Sequence, residues 1–137
     1  MKVLVPTDGS EHSMKAVQRA LELAETQGAQ VTLMSVAYYA ADYLEEMPPN
    51  IREKLEDEAK GALKKAKAVF EAKNLPVETV MEAGLVPANL IIAKAQDGKF
   101  DRIVIGSTGQ NALEKIVMGS TAAKVVAHAP CEVTVVR

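Results

Sequence analysis

Five short apolar runs, parted by four stretches of helical periodicity, constrain this chain more than any other feature. The runs are Lys2–Pro6, Val31–Val36, Val77–Glu82, Arg102–Ile105 and Cys131–Val136. Most are rich in β-branched residues and lack polar alternation, as strands covered on both faces do; only the third alternates, with Val77, Thr79 and Met81 against Glu78, Val80 and Glu82. Strict β–α alternation predicts an α/β fold, a five-stranded parallel doubly wound sheet with helices on both faces. No repeat, low-complexity tract or linker interrupts it, so residues 1–137 are expected to form a single domain.

The helical stretches carry their own punctuation. Ser10 suits an N-cap with Glu11 in the first turn, Met14, Val17, Leu21 and Ala24 share a face, and Gly28 stops the helix. The segment Ala37–Asn50 is the least regular and holds all the tyrosines, Tyr38, Tyr39 and Tyr43. Those rings could cover a base, a dimer contact or only their own domain. From Ile51 to about Lys73 a stripe runs through Leu55, Ala59, Ala62, Ala66 and Val69 or Phe70. Pro87 to Gly98 carries Leu90, Ile91 and Ala95, and a last helix is expected around Ser120–Ala127.

Composition excludes several classes of function. A net charge of −2 gives no bulk attraction to nucleic acid or an anionic membrane. No apolar stretch approaches the roughly 20 residues that span a bilayer, and the N-terminus does not read as a signal peptide. The lone Cys131 excludes an internal disulfide and fits a reducing compartment. A cytoplasmic protein is expected.

Chemistry concentrates in the glycine-punctuated stretch after the fourth run. Ile103-Val104-Ile105 stops at Gly106; Gly109 follows, and Gly119-Ser120-Thr121 opens the last helix. A strand, a glycine loop and a helix start can hold phosphate, because backbone approaches the anion closely and unpaired N–H groups point at it. The bland alternative is that Gly106 ends a strand and Gly119 starts a helix. The usual P-loop is absent: Gly109 would need a glycine at position 114 before Lys115, and position 114 is Glu. No G-x-G-x-x-G occurs either.

In doubly wound sheets ligands bind beyond the strand carboxyl ends, where strand order reverses. That pairs the glycine stretch with the loop Pro6-Thr7-Asp8-Gly9-Ser10. Asp8 could accept from a ribose hydroxyl or help hold a metal; a capping role is the alternative. An acidic phosphatase loop fails, because the position two residues before Asp8 is Pro6. His12 is expected on the surface of the first helix, His128 near a helix C-terminus and Cys131 in a strand. No Ser/His/Asp set, paired-carboxylate site or metal-ligand cluster is apparent, so no catalytic residue is assigned.

The sequence resembles the universal stress protein family over its whole length. The likeness is carried by Val3–Ser10, by His128-Ala129-Pro130-Cys131-x-Val133-x-Val135-Val136, and by the glycine stretch, which matches G-x2-G-x9-G-[ST] at every fixed position. The resemblance implies an adenine nucleotide alpha hydrolase-like fold and ATP, or ADP or AMP, as ligand. It implies Gly106, Gly109, Gly119, Ser120 and Thr121 at the phosphates and ribose. Asp8, with Pro6 and Thr7, would meet the ribose or adenine side, and Val36 would offer backbone to the adenine. It further implies a homodimer through the last strand. Many relatives are basic between the first two glycines; this chain has Thr108, which shifts phosphate binding toward backbone N–H groups and Lys115. The expectation is an ATP-binding regulatory dimer in stress response, whose ligand would order the 109–119 loop and alter a surface read by a protein partner. Slow hydrolysis with Mg²⁺ or Mn²⁺ is compatible with this. The rivals are a metal-dependent ATPase and an interaction dimer without nucleotide.

Overall fold

β1 (Lys2–Pro6) is the central strand of a five-stranded parallel sheet in the computed structural model, which describes residues 1–108 and 118–137, with backbone alone for Tyr43 and Leu44. It is followed by α1 (Glu11–Gln27), β2 (Gln30–Ala37), a short 3-10 helix (Ala41–Glu46), α2 (Pro49–Glu71), β3 (Glu78–Ala83), α3 (Pro87–Asp97), β4 (Arg102–Gly106), α4 (Ser120–His128) and β5 (Glu132–Val136). The strand order is β3-β2-β1-β4-β5, all parallel, so the winding reverses between β1 and β4.

Alternation along the strands sends successive side chains to opposite faces and builds two cores. Val3, Val5, Val31, Leu33 and Val104 meet Ala16, Val17 and Ala20 of α1 and Leu63, Ala66 and Phe70 of α2. Leu4, Met34, Ile103 and Ile105 meet Ala88, Ile91 and Ala95 of α3 and Ala122 and Val125 of α4. Each fully buried aliphatic side chain contributes about 1.5–3 kcal/mol by leaving water. The doubly wound architecture read from the alternation is the one observed.

Local signals act as expected in α1. The Ser10 side chain accepts from Ser13 N–H, and Gly28 closes the helix at φ 66°, a left-handed conformation that glycine adopts without a Cβ penalty. In α2 the stripe shifts by one position at its end: Phe70 is fully buried and Val69 only partly. Ile51, assigned to the stripe, is exposed. β3 is the least buried strand, an edge whose polar alternation follows from its position. Among the described residues no helix is long and apolar enough to cross a membrane.

Candidate functional site

β1 and β4 pair only at Val3↔Arg102 and Leu4↔Ile103, whereas β4 and β5 stay paired through Gly106↔Val136. The two central strands therefore separate toward their carboxyl ends, and a crevice opens at the point of reversal. The loop after β1 forms one wall. The start of α4 and the end of β4 form the other.

The first wall is held by a directed chain of hydrogen bonds. Ser13 Oγ donates to Ser10 O (3.0 Å), so the 3.0 Å contact between Thr7 Oγ1 and Ser13 Oγ uses the threonine proton. Thr7 Oγ1 in turn accepts from Gly9 N–H at 3.2 Å. The Thr7 hydroxyl is thus buried and committed to the loop itself. Asp8 stands exposed at the loop tip, one carboxylate oxygen accepting from Ser10 N–H at 2.9 Å. Gly9 sits at φ 80°, and a Cβ there would meet Ala62 of α2 at 3.4 Å; Lys65 Nζ donates to its carbonyl at 2.9 Å. Neither α2 contact was foreseeable from the sequence, because α2 reaches the loop only through the fold. Pro6 is buried at the end of β1 beside this loop.

Strand geometry places Val36. A residue in a parallel sheet directs its N–H and C=O to the same neighbour, and successive residues alternate sides. Met34 O takes Thr7 N–H on the β1 side, and Ala37 O takes Gly84 N–H on the β3 side. Val36 therefore turns its backbone groups toward β1, beyond the last residue of that strand. Gly9, which continued pairing would bring opposite, gives its N–H to Thr7 Oγ1 instead. The Val36 carbonyl faces the crevice.

On the second wall Gly106 and Gly119 have different reasons to be glycine. A Cβ at Gly106 would lie 2.7 Å from the His12 carbonyl oxygen and 2.8 Å from its carbon, both backbone. Close packing of α1 on β4 demands this glycine whatever binds nearby. This packing accounts for the glycine at 106 independently of any phosphate. Gly119 is the N-cap of α4, without a side-chain cap, and its N–H is anchored to Ser107 O at 2.6 Å. Among the described residues its missing Cβ would meet only Ser107 O and Thr108 Cα, each at 3.5 Å. Ser120 and Thr121 open the helix, exposed and half-buried respectively. The first-turn N–H groups of a helix lack intrahelical partners and carry the positive end of its dipole. Gly109 and Lys115 lie outside the described residues.

Two further polar atoms flank this wall. Thr108 Oγ1 and His12 Nδ1 are buried without a hydrogen-bond partner among the described residues. His12 is half-buried, not the plain surface residue expected. An uncapped helix start beside a buried, unpaired hydroxyl suits a phosphate oxygen, which accepts from both. His128 is exposed in the last turn of α4. Cys131 is half-buried just before β5, and burial pushes its thiol above the ordinary range, which disfavours the nucleophilic thiolate. Among the described residues no group of three or more His, Cys, Asp or Glu is placed to hold a metal ion.

A family model described as the Universal stress protein family matches residues 1–137. The chain belongs to the universal stress protein family. It is 37% identical over 139 residues to a universal stress protein of Methanocaldococcus jannaschii, covering 99% of this chain and 81% of that protein. A universal stress protein of Thermus aquaticus is 33% identical over 135 residues, covering 98% and 97%. Among solved structures, the hypothetical protein MJ0577 superimposes with a TM-score of 0.84 at 29% identity, over 98% of this chain and 94% of that one. Two more distant universal stress proteins share the fold. One is in complex with cAMP (23% identity, TM-score 0.76, 100% and 97% covered). The other, from Archaeoglobus fulgidus, is in complex with dAMP (21%, 0.76, 100% and 98% covered).

Proposed function

We propose that this protein binds an adenine nucleotide, ATP foremost, between the Pro6–Ser10 loop and the start of α4, and acts as a nucleotide-responsive regulatory homodimer in stress response. The observation that carries the reading is the uncapped N-terminus of α4. It is anchored through Gly119 to the end of β4, and strand order reverses between β4 and β1, whose following loop carries Asp8. In this reading the N–H groups of Ser120 and Thr121 face the phosphates. Gly119 leaves room for them, Asp8 accepts from the ribose, and the Val36 backbone meets the adenine edge. Gly109 closes the phosphate loop. Relatives of this fold that hold cAMP and dAMP lend support as instances of the same architecture with an adenine nucleotide. A Mg²⁺ or Mn²⁺ bound with the nucleotide would be held with help from Asp8 and would supply charge neutralisation at the phosphates.

Regulation through binding is favoured over turnover because the phosphate motif stands in the sequence without an apparent general base or nucleophile, and the Thr7 and Ser13 hydroxyls donate within the loop, to Ser13 and to Ser10 O respectively. The test is calorimetry with ATP and Mg²⁺ on the parent protein and on Gly119→Val. A branched side chain at the mouth of the helix should weaken binding at least tenfold while circular dichroism stays unchanged. Absence of heat from the parent up to millimolar ATP, or equal affinity in a folded Gly119→Val protein, would sink the assignment.

A further inference from the structure

One peptide unit in the loop after β1 serves two side chains. Its carbonyl, Gly9 O, accepts from Lys65 Nζ of α2 at 2.9 Å, and its N–H, that of Ser10, donates to Asp8 Oδ1 at 2.9 Å. A trans peptide is planar, with C=O and N–H pointing opposite ways, so whatever fixes one direction fixes the other. The lysine bond therefore aims the N–H that holds the Asp8 carboxylate.

Without that bond the plane has freedom to turn. Gly9 stands before it at φ 80°, and a glycine accepts rotation of the adjoining peptide at little steric cost. The preceding peptide is held already, since Gly9 N–H donates to Thr7 Oγ1 at 3.2 Å. Asp8 and Lys65 are both exposed, so neither bond is needed to satisfy a buried charge. Ala62, three residues before Lys65 on α2, lies against Gly9 and keeps the helix close enough for the lysine to reach the loop.

We propose that Lys65 is a positioning residue of the nucleotide site, acting through the Gly9–Ser10 peptide to hold the Asp8 carboxylate where it meets the ribose. This rests on the nucleotide reading above and extends that site to α2, a helix that itself touches no ligand. Once the peptide rotates, Asp8 samples other rotamers, and binding has to order it at a loss of affinity.

Calorimetry with ATP and with AMP on the parent, Lys65→Met, Lys65→Arg and Lys67→Met tests the coupling. Lys67 is exposed two positions further along α2, on another side of the helix, and its replacement removes the same charge. Lys65→Met should weaken both nucleotides by about fivefold, the scale of one hydrogen bond, with thermal unfolding little changed. Lys65→Arg keeps a donor and should bind within about twofold of the parent, as should Lys67→Met. A loss much larger for ATP than for AMP would make Lys65 a charge felt by the phosphates, which overturns the inference. So would an equal loss in Lys67→Met, or an arginine variant as weak as the methionine one. If Lys65→Met binds as tightly as a parent that itself binds, the Lys65 role fails and the nucleotide site stands. If the parent binds neither nucleotide, the nucleotide reading and the inference fall together.

Discussion

An alanine at position 106 would bring its Cβ to 2.7 Å from the His12 carbonyl oxygen, and neither backbone can yield cheaply because α1 rests on β4 there. Gly106→Ala should therefore lower stability by about 1–3 kcal/mol in urea unfolding, the usual range for overpacking. Among the described residues Gly119→Ala meets only 3.5 Å contacts at an extended backbone, so it should cost no more than the roughly 1 kcal/mol by which alanine is a poorer N-cap than glycine. The two glycines share one motif, so equal losses in both variants would contradict the division of roles drawn here. Thr7 makes the same point from the other wall. The family resemblance sets it alongside Asp8 at the ligand, and its hydroxyl links Gly9 to Ser13 inside the loop.

At the scale of elements, α2 is a brace for the Asp8 loop as well as a core helix. Lys65 holds the Gly9 carbonyl, and Ala62 packs beneath Gly9. Lys65 is exposed, so Lys65→Met should cost less than about 1 kcal/mol of global stability. Amide exchange at Gly9 and Ser10 should nonetheless accelerate, and unchanged protection there would show that the loop needs no brace. The other end of α2 is tied to the chain after β2 by Tyr39 Oη donating to Glu56 at 2.7 Å, over a small cluster of Ala37, Ala59 and Leu55. The Glu56 hydrogen bond first, and burial second, hold the Tyr39 phenol above its ordinary value of 10.0. A raised acid is favoured as its neutral form in the fold, so its contribution is full below about pH 10 and is lost as pH rises through the folded value. Tyr39→Phe keeps the ring and should be about 1 kcal/mol less stable than the parent at pH 7. That difference should shrink in denaturation measured above about pH 10, and a constant gap would count against the phenol as its source.

For the molecule as a whole, the sheet leaves β5 as an edge, paired with β4 on one side. Edge strands with apolar side chains invite pairing, and the proposed homodimer would use this one. Val136 O accepts from Ser107 N–H on the β4 side, so by alternation Val135 presents its N–H outward. Val135→Pro would remove an outward donor and spare the β4 ladder, as proline at edges can. Light scattering should then report a monomer where the parent is a dimer, with unchanged circular dichroism. A parent that is monomeric at micromolar concentration, or a variant that remains dimeric, would remove β5 from the interface. Nucleotide at about 100 times its Kd should stabilise the parent by about 2.7 kcal/mol, visible as a rise in Tm.

The sequence alone determined what depends on local pattern. Strand and helix order and the Ser10 and Gly28 caps of α1 were legible because side-chain period and turn chemistry act over a few residues. Boundaries moved by one or two residues, as at Val77 and Cys131, which lie just outside β3 and β5. The tertiary structure decided everything that needs two distant segments in contact. It decided that Gly106 answers to His12, that α2 supports Gly9, that Thr7 is spent on Ser13, and that Thr108 is buried against Gly119. Burial and hydrogen-bond partners are properties of packing between segments far apart in the chain, and no local pattern encodes which backbone will come to rest on which side chain.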